Sequence, residues 1–298
     1  MSSHASPYIG RFAPSPTGSL HFGSLAAALA SFLDAKAHDG RWLLRVEDID
    51  PPREQPGATT AILKSLEAHH LSWDGDVLYQ NERSDAYRAA LQILEAQQLS
   101  YRCTCSRQTL ALPDEPHLSP NSIYSGHCRD LQHSSKTVSA IRLNIEKSLQ
   151  ILELHPVIHF DDVWQGFQKQ DLLNDVGDFV IHRKDNLFAY QLAVVVDDIF
   201  QNVTHVIRGA DLLDSTARQI LLFRLFNAEV PVFGHAPLVL NAQGQKLSKQ
   251  NLAPPLDDST PAQNIFSALQ FLQLNPPPEL QHESVDTVLR WAITNSPK

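Results

Sequence analysis

Apolar and polar positions along the chain fall into short runs whose periods predict strands and helices in alternation. YIGRF, residues 8–12, is a compact apolar run and predicts a strand. HFGSLAAALASFLDAKAHDG, 21–40, carries the helical period and predicts a helix closed by Gly40. WLLRVEDID, 42–50, predicts a buried strand running into a loop that Pro51 and Pro52 keep out of helix. Strand, helix, strand in this order is the unit of a parallel sheet. Two further helical patterns, ATTAILKSLEAHHL and SDAYRAALQILEAQQL, predict covering helices, the second with Ser84 as N-cap and Asp85 in its first turn.

The texture changes after residue 100. TVSAIRLNI, PVIHFDDVWQG and DFVIHRKDNLFAY read as strands with hairpin-like turns, so residues 101–188 are expected to be an insertion of mixed α/β character. The helix-strand-helix rhythm returns from YQLAVVVDDIF to LLFRLF, and PVFGHAPLVLN then leads into the polar loop AQGQKLSKQN. The expected division is 1–100, 101–188, 189–250, and a short helical, Pro-rich segment over 251–298. That last segment is too short for a sizeable domain of its own.

A composition of 43% hydrophobic and 19% charged residues places the chain in the globular class. A formal charge of −9 argues against nonspecific nucleic-acid binding, which uses a basic surface to replace phosphate counterions, but leaves room for a local basic groove. The first residues lack the pattern of a signal peptide, and no apolar run is long enough to cross a membrane, so a cytoplasmic protein with no membrane partner is expected. The three cysteines, Cys103, Cys105 and Cys128, are grouped closely and odd in number, which suits a metal site better than disulfides.

Two stretches carry candidate chemistry. Arg11 to Gly23 spans the handover from strand to helix, where unpaired helix N–H groups favour phosphate. Pro14 and Pro16 stiffen the turn, Gly18 and Gly23 leave room for a nucleotide, and Thr17 and His21 offer hydrogen bonds to phosphate. The second stretch is KLSK, in which Lys246 and Lys249 would neutralise a pyrophosphate leaving group. Alone, each pattern is weak, since a capped loop and a solvated lysine pair account for them equally well.

Together they are not weak. RFAPSPTGSLHFGS, then RVEDID, FAYQLAVVVDD, VIRGADLL and KLSK in that order closely resemble the glutamyl branch of the class I aminoacyl-tRNA synthetases over residues 8–255. The first stretch corresponds to the family's HIGH-type signature and the last to its KMSKS-type signature, with Leu247 for Met and Gln250 for the final Ser. Within that branch the chain is most similar to a shortened paralogue. It ends soon after KLSK, where a glutamyl-tRNA synthetase continues into an anticodon-binding region, and it has the C-x-C…Y-x-x-x-C pattern.

The resemblance implies a Rossmann-like catalytic domain in two halves, 1–100 and 189–250, around an acceptor-binding-like insertion with a zinc site. It implies activation of L-glutamate with ATP to glutamyl-adenylate without tRNA, then transfer to queuosine at the wobble position of tRNA(Asp). Carried over by position, Arg11, Phe12, Ala13, Pro14, Ser15, Glu47, Tyr190 and Arg208 bind glutamate, and Thr17, Gly18, His21, Gly23, Ser24 and Lys249 bind ATP. His21, Lys246 and Lys249 are the catalytic candidates. Two guanidiniums, a carboxylate and a phenol suit a substrate with two carboxylates and one ammonium, though which arginine takes which carboxylate stays open. No side-chain nucleophile is required, because the substrate carboxylate attacks the α-phosphorus. Magnesium accompanies ATP, and a monomer is expected.

Three thiolates and one more ligand would close a structural zinc shell. Chemistry alone favours His127, His117 or His133 as the fourth; the resemblance points to Tyr124, with His117 as its rival. Asp197 and Asp198 are expected to make local hydrogen bonds or to cap a helix end, and the pair His69-His70 to lie on the surface. Three other readings remain: a truncated glutamyl-tRNA synthetase charging a tRNA 3′ end, a noncatalytic zinc-containing RNA-binding paralogue, and a nucleotidylyltransferase acting on another small acid, which does not explain Glu47, Tyr190 and Arg208 together.

Overall fold

The computed structural model describes residues 7–106, 123–131, 133–240, 244–247 and 253–297. The expected β-α-β opening is present as β1 (Ile9–Phe12), α1 (Phe22–Ala37) and β2 (Arg41–Val46). β1 and β2 are parallel, with Arg11 opposite Leu43, and β3 (Leu78–Tyr79) extends the sheet beyond β2.

The end of α1 differs from expectation in detail. Asp39, at φ 54°, takes the left-handed position, and Gly40 N donates to Ala35 O at 2.8 Å in the bond that closes the helix. Gly40 is needed for another reason: a Cβ there would lie 2.8 Å from the Tyr8 carbonyl oxygen.

α2 (Ala58–Ala68) and α3 (Ser84–Ala96) occur where their periodicity puts them. Ser84 is not the cap; it is the first residue of α3, and Arg83 precedes it without a side-chain capping bond. Within the expected insertion, β4 (Ser100–Cys103), β5 (Ala140–Leu143) and β8 (Val180–His182) form an antiparallel sheet. β6 (Val157–Asp162) and β7 (Gly166–Asp171) form a hairpin. A helix absent from the sequence reading, α4 (Ile145–Leu152), follows β5; its signal was Asn144, whose side chain accepts the Lys147 N–H at 3.0 Å.

α5 (Tyr190–Phe200), β9 (His205–Gly209), α6 (Thr216–Leu225) and β10 (Val232–Ala236) restore parallel structure. Strand order is β7-β6-β10-β9, with β10 parallel to both neighbours. This sheet meets the first where Thr204 N donates to Ile9 O at 2.9 Å, so β9 lies beside β1.

The described residues form two large cores. One packs α1 and β2 against α7 (Pro261–Phe271) and α8 (Val285–Asn295), so the C-terminal segment covers the opening helix with Ile265, Leu269, Val288 and Leu289. The other joins Leu143, Ile158 and Phe179 to Leu192, Val195, Ile220 and Leu221, uniting the residues after 100 with α5 and α6. Their buried apolar area is the main stabilising term.

Candidate active site

A cavity of about 600 Å³ opens where β1, β2, β9 and β10 reach their carboxyl ends. In parallel sheets this is where chains emerging in different directions leave a crevice. Arg11 to Ser15 enter it from β1, Glu47 follows β2, Arg208 to Leu212 come from β9, and Pro237 to Val239 follow β10. Tyr190 enters from the first turn of α5. All eight residues assigned to glutamate from the sequence thus line one cavity.

The charged groups are held rigidly. Arg11 donates Nε and Nη2 to the Asp198 carboxylate at 3.1 and 3.4 Å, and Arg45 donates Nη2 to the same group at 2.7 Å. Burial alone would raise the Asp198 carboxyl, but these two guanidiniums hold it below its ordinary range. Arg11 Nη1 has no hydrogen-bond partner among the described residues. Glu47 lies 3.9 Å from Arg45 Nε, beyond hydrogen-bond distance. Burial pushes its carboxyl up to about 7 despite the pull of Arg45 and Arg11.

Arg208 is partnered on every side. Nε donates to His235 Nε2 at 2.9 Å, Nη1 to Gln219 Oε1 at 2.7 Å and to the Tyr190 hydroxyl at 3.4 Å. Nη2 donates to Thr216 Oγ1 at 3.0 Å and to the Leu212 carbonyl at 3.2 Å. Five acceptors for five N–H groups fix the plane of the guanidinium, and the Tyr190 contact is the longest.

The same cavity continues to the start of α1, where Thr17, His21, Gly23 and Ser24 line it. His21 is the N-cap, its Nδ1 accepting the Ser24 N–H at 3.2 Å. A Cβ on Gly23 would lie 3.2 Å from His21 Nδ1 and 3.5 Å from Leu247 O, so the bare backbone admits the loop from the far end of the chain. Gly18 is not among the lining residues; its φ of 139° is one that a side chain would strain. Lys246 lines the cavity and pairs with Asp211. Ser248, Lys249 and Gln250 lie outside the described residues.

Two sequence expectations are corrected. Asp197 and Asp198 do not bond locally or cap a helix: Asp198 anchors Arg11 and Arg45, and Asp197 accepts from Gln80 Nε2 at 2.8 Å, Arg83 Nε at 3.1 Å and the Tyr87 hydroxyl at 2.6 Å. Two carboxylates within an apolar run were the signal, since burial of such groups demands partners. His69 is buried rather than exposed, bonded to Ser65 O at 2.7 Å and Asn264 at 3.0 Å; His70 alone is at the surface, 2.6 Å from Asp286. Sequence reasoning also missed Gln219, Thr216 and His235, which are polar residues inside otherwise apolar elements.

The sulfurs of Cys103, Cys105 and Cys128 all lie within 4.8 Å of one another, a grouping that could hold a metal ion. Cys105 and Cys128 are 3.5 Å apart, and the Tyr124 hydroxyl is 3.4 Å from Cys103 Sγ and 3.6 Å from Cys105 Sγ. Zinc–sulfur bonds of about 2.3 Å at tetrahedral angles require neighbouring sulfurs about 3.8 Å apart, so this donor set fits. Among the described residues no histidine nitrogen groups with all three sulfurs, although His133 is hydrogen-bonded to the Cys128 side chain. His127 is exposed, while His133 Nε2 contacts Thr104 Oγ1 at 3.5 Å. His117 lies outside the described residues.

Comparison with known proteins gives the family. Residues 9–270 match the catalytic domain of the class I tRNA synthetases (E and Q). The chain is 51% identical to Glutamyl-Q tRNA(Asp) synthetase of Shigella flexneri over 97% of its length and 88% of the relative's. It matches the protein of the same name from Escherichia coli (strain K12) equally, at 51% over 97% and 88%. Among solved structures, glutamate-tRNA synthetase from Elizabethkingia anophelis superposes with a TM-score of 0.74 at 25% identity, over 96% of this chain and 65% of that one. A glutamate tRNA ligase from Elizabethkingia meningosepticum in complex with its amino acid gives 0.73 at 26% identity, over 96% and 64%. The chain belongs to the class I tRNA synthetases of the glutamate and glutamine branch, and within them to the glutamyl-Q tRNA(Asp) synthetase family.

Proposed function

We propose that the protein activates L-glutamate with ATP and transfers it to queuosine in tRNA(Asp). The observation that carries this reading is the convergence of Arg11, Glu47, Tyr190 and Arg208 on a cavity continuous with the His21–Gly23 helix start and Lys246. Two guanidiniums match two substrate carboxylates, and Glu47 matches the ammonium. Arg11 brings an N–H without a partner among the described residues; Arg208 would receive a carboxylate by giving up its long contact to Tyr190.

In the first step a glutamate carboxylate oxygen attacks the α-phosphorus of ATP and pyrophosphate leaves. The Pro14 to Pro16 turn lies between the two half-sites, and the start of α1 turns its unpaired N–H groups toward phosphate. Lys246 and Lys249 would balance charge on the departing pyrophosphate, and magnesium would travel with the nucleotide's phosphates. In the second step a hydroxyl of the modified nucleoside attacks the acyl carbon and AMP leaves. Zinc held by Cys103, Cys105, Tyr124 and Cys128 would be structural, because the protein fills its shell. We read the protein as a cytoplasmic monomer.

Pyrophosphate exchange into ATP, with each amino acid in turn and no RNA, tests the first step. Exchange with glutamate alone is expected; silence, or exchange only with tRNA present, overturns the reading. Transfer of labelled glutamate to tRNA(Asp) with and without queuosine tests the second. Label on the unmodified tRNA would favour a truncated 3′-end-charging enzyme instead.

A further inference from the structure

We propose that His235 is a positioning residue for the glutamate site: held by Asp162 as the Nδ1–H tautomer, it fixes the Arg208 guanidinium through its Nε2 lone pair. The inference rests on the reading of the cavity as a glutamate site.

The tautomer follows from donors and acceptors alone. Arginine nitrogens only donate, so His235 Nε2, 2.9 Å from Arg208 Nε, must accept. The ring proton is therefore on Nδ1, which lies 2.5 Å from Asp162 Oδ2. Asp162 is itself fixed, because its other oxygen accepts the backbone N–H groups of Trp164, Gln165 and His235 at 3.0, 2.9 and 3.0 Å. All three side chains are buried. An imidazolium would turn a second N–H toward Arg208 and bring two cations together; burial favours the neutral ring, despite the opposing pull of Asp162.

The arrangement reaches across the fold. Asp162 ends β6 and faces Phe233 of β10, the strand that carries His235, while Arg208 lies on β9. The β6–β7 hairpin thus sets the aim of a side chain in the cavity that it does not line. Behind metal-binding side chains the loss of such a hydrogen-bonded partner typically costs about 10- to 100-fold, and the same orienting role here is expected to be worth a similar factor.

Three substitutions separate orientation from folding. In Asp162→Asn the three backbone donors keep the amide oxygen in place, so the amide nitrogen faces His235 and forces the Nε2–H tautomer against Arg208. His235→Asn keeps a donor toward Asp162 but loses the acceptor for Arg208, whereas His235→Gln places an oxygen where Nε2 was. We expect Asp162→Asn and His235→Asn to raise KM for glutamate in pyrophosphate exchange by about 10- to 100-fold, with KM for ATP within about twofold, and His235→Gln to recover most of the loss. Nitrogen-15 spectra of histidine-labelled protein, assigned by difference against His235→Gln, should show Nδ1–H in the parent and Nε2–H in Asp162→Asn.

Unchanged glutamate KM in both disruptive variants, equal rises for glutamate and ATP, or an Nε2–H ring in the parent would each overturn the proposal. If the parent shows no glutamate-dependent exchange, the functional reading falls, and the tautomer in parent and Asp162→Asn still decides whether Asp162 and His235 are arranged as argued.

Discussion

Asp198 Oδ1 accepts Arg45 Nη2 at 2.7 Å with both side chains closed off from solvent, and the same carboxylate holds Arg11 at the wall of the cavity. One buried anion thus bridges two cations carried by adjacent strands. Asp198→Ala would leave both guanidiniums buried without it. Removing one partner of such a pair typically costs about 3–5 kcal/mol, and urea denaturation should show a loss of that size. A loss below about 1 kcal/mol would mean that the interior relaxes to admit water.

On the proposed reading, Glu47 should make glutamate binding dependent on pH. With its carboxyl pushed up to about 7 by burial, the ligand-free site is partly protonated at neutrality and lacks a full partner for an ammonium group. KM for glutamate should fall as pH rises from 6 to 8 and then level off, while Glu47→Gln should show a high, flat profile. Stability moves the other way. The folded protein holds this proton when the unfolded chain has released it, so the contribution is present at low pH and is lost as pH rises from the ordinary carboxylate range through about 7. Glu47→Gln should remove that decline, and a decline of equal size in both proteins would refute the assignment.

Tyr124 is the testable member of the sulfur cluster. Its ring lies under Arg142, with the guanidinium carbon 3.8 Å from the ring centroid, so Tyr124→Phe keeps the packing and removes only the oxygen. One zinc per chain is expected by elemental analysis of the parent, with affinity lowered at least about tenfold in Tyr124→Phe and metal lost in Cys105→Ser. Full zinc affinity in Tyr124→Phe would assign the fourth position to another group, such as His117.

Substituting Gly23 should separate stability from the proposed nucleotide binding. Alanine is the better helix former by about 1 kcal/mol, and Gly23 occupies the first turn of α1. The added methyl would press on His21 Nδ1 at 3.2 Å and approach the Leu247 carbonyl at 3.5 Å. Gly23→Ala should therefore melt no lower than the parent while KM for ATP rises at least about tenfold. A lower melting temperature with unchanged KM would show that the glycine serves folding.

The parallel framework was legible because its strands are short runs buried on both faces and its helices carry the helical period. Periodicity overran β2, read to residue 50 but ended at Val46, because the acidic residues beyond it line or approach a cavity rather than continue the sheet. It missed α4, whose eight residues give barely two turns of period and begin one residue after a strand.

The motifs by themselves determined which residues would meet. Their chemistry is written in residue types that survive outside any fold: two arginines, a glutamate and a tyrosine, and a histidine and glycine before a helix. Only the tertiary structure decided how those groups are held. Asp198, Gln219, Asp162 and His235 look like misplaced polar residues in apolar elements until distant strands bring their partners within hydrogen-bond distance. The reason is physical: a buried charge is tolerated only with its counterpart, and that counterpart is chosen by the packing of the sheet, not by nearness in the chain.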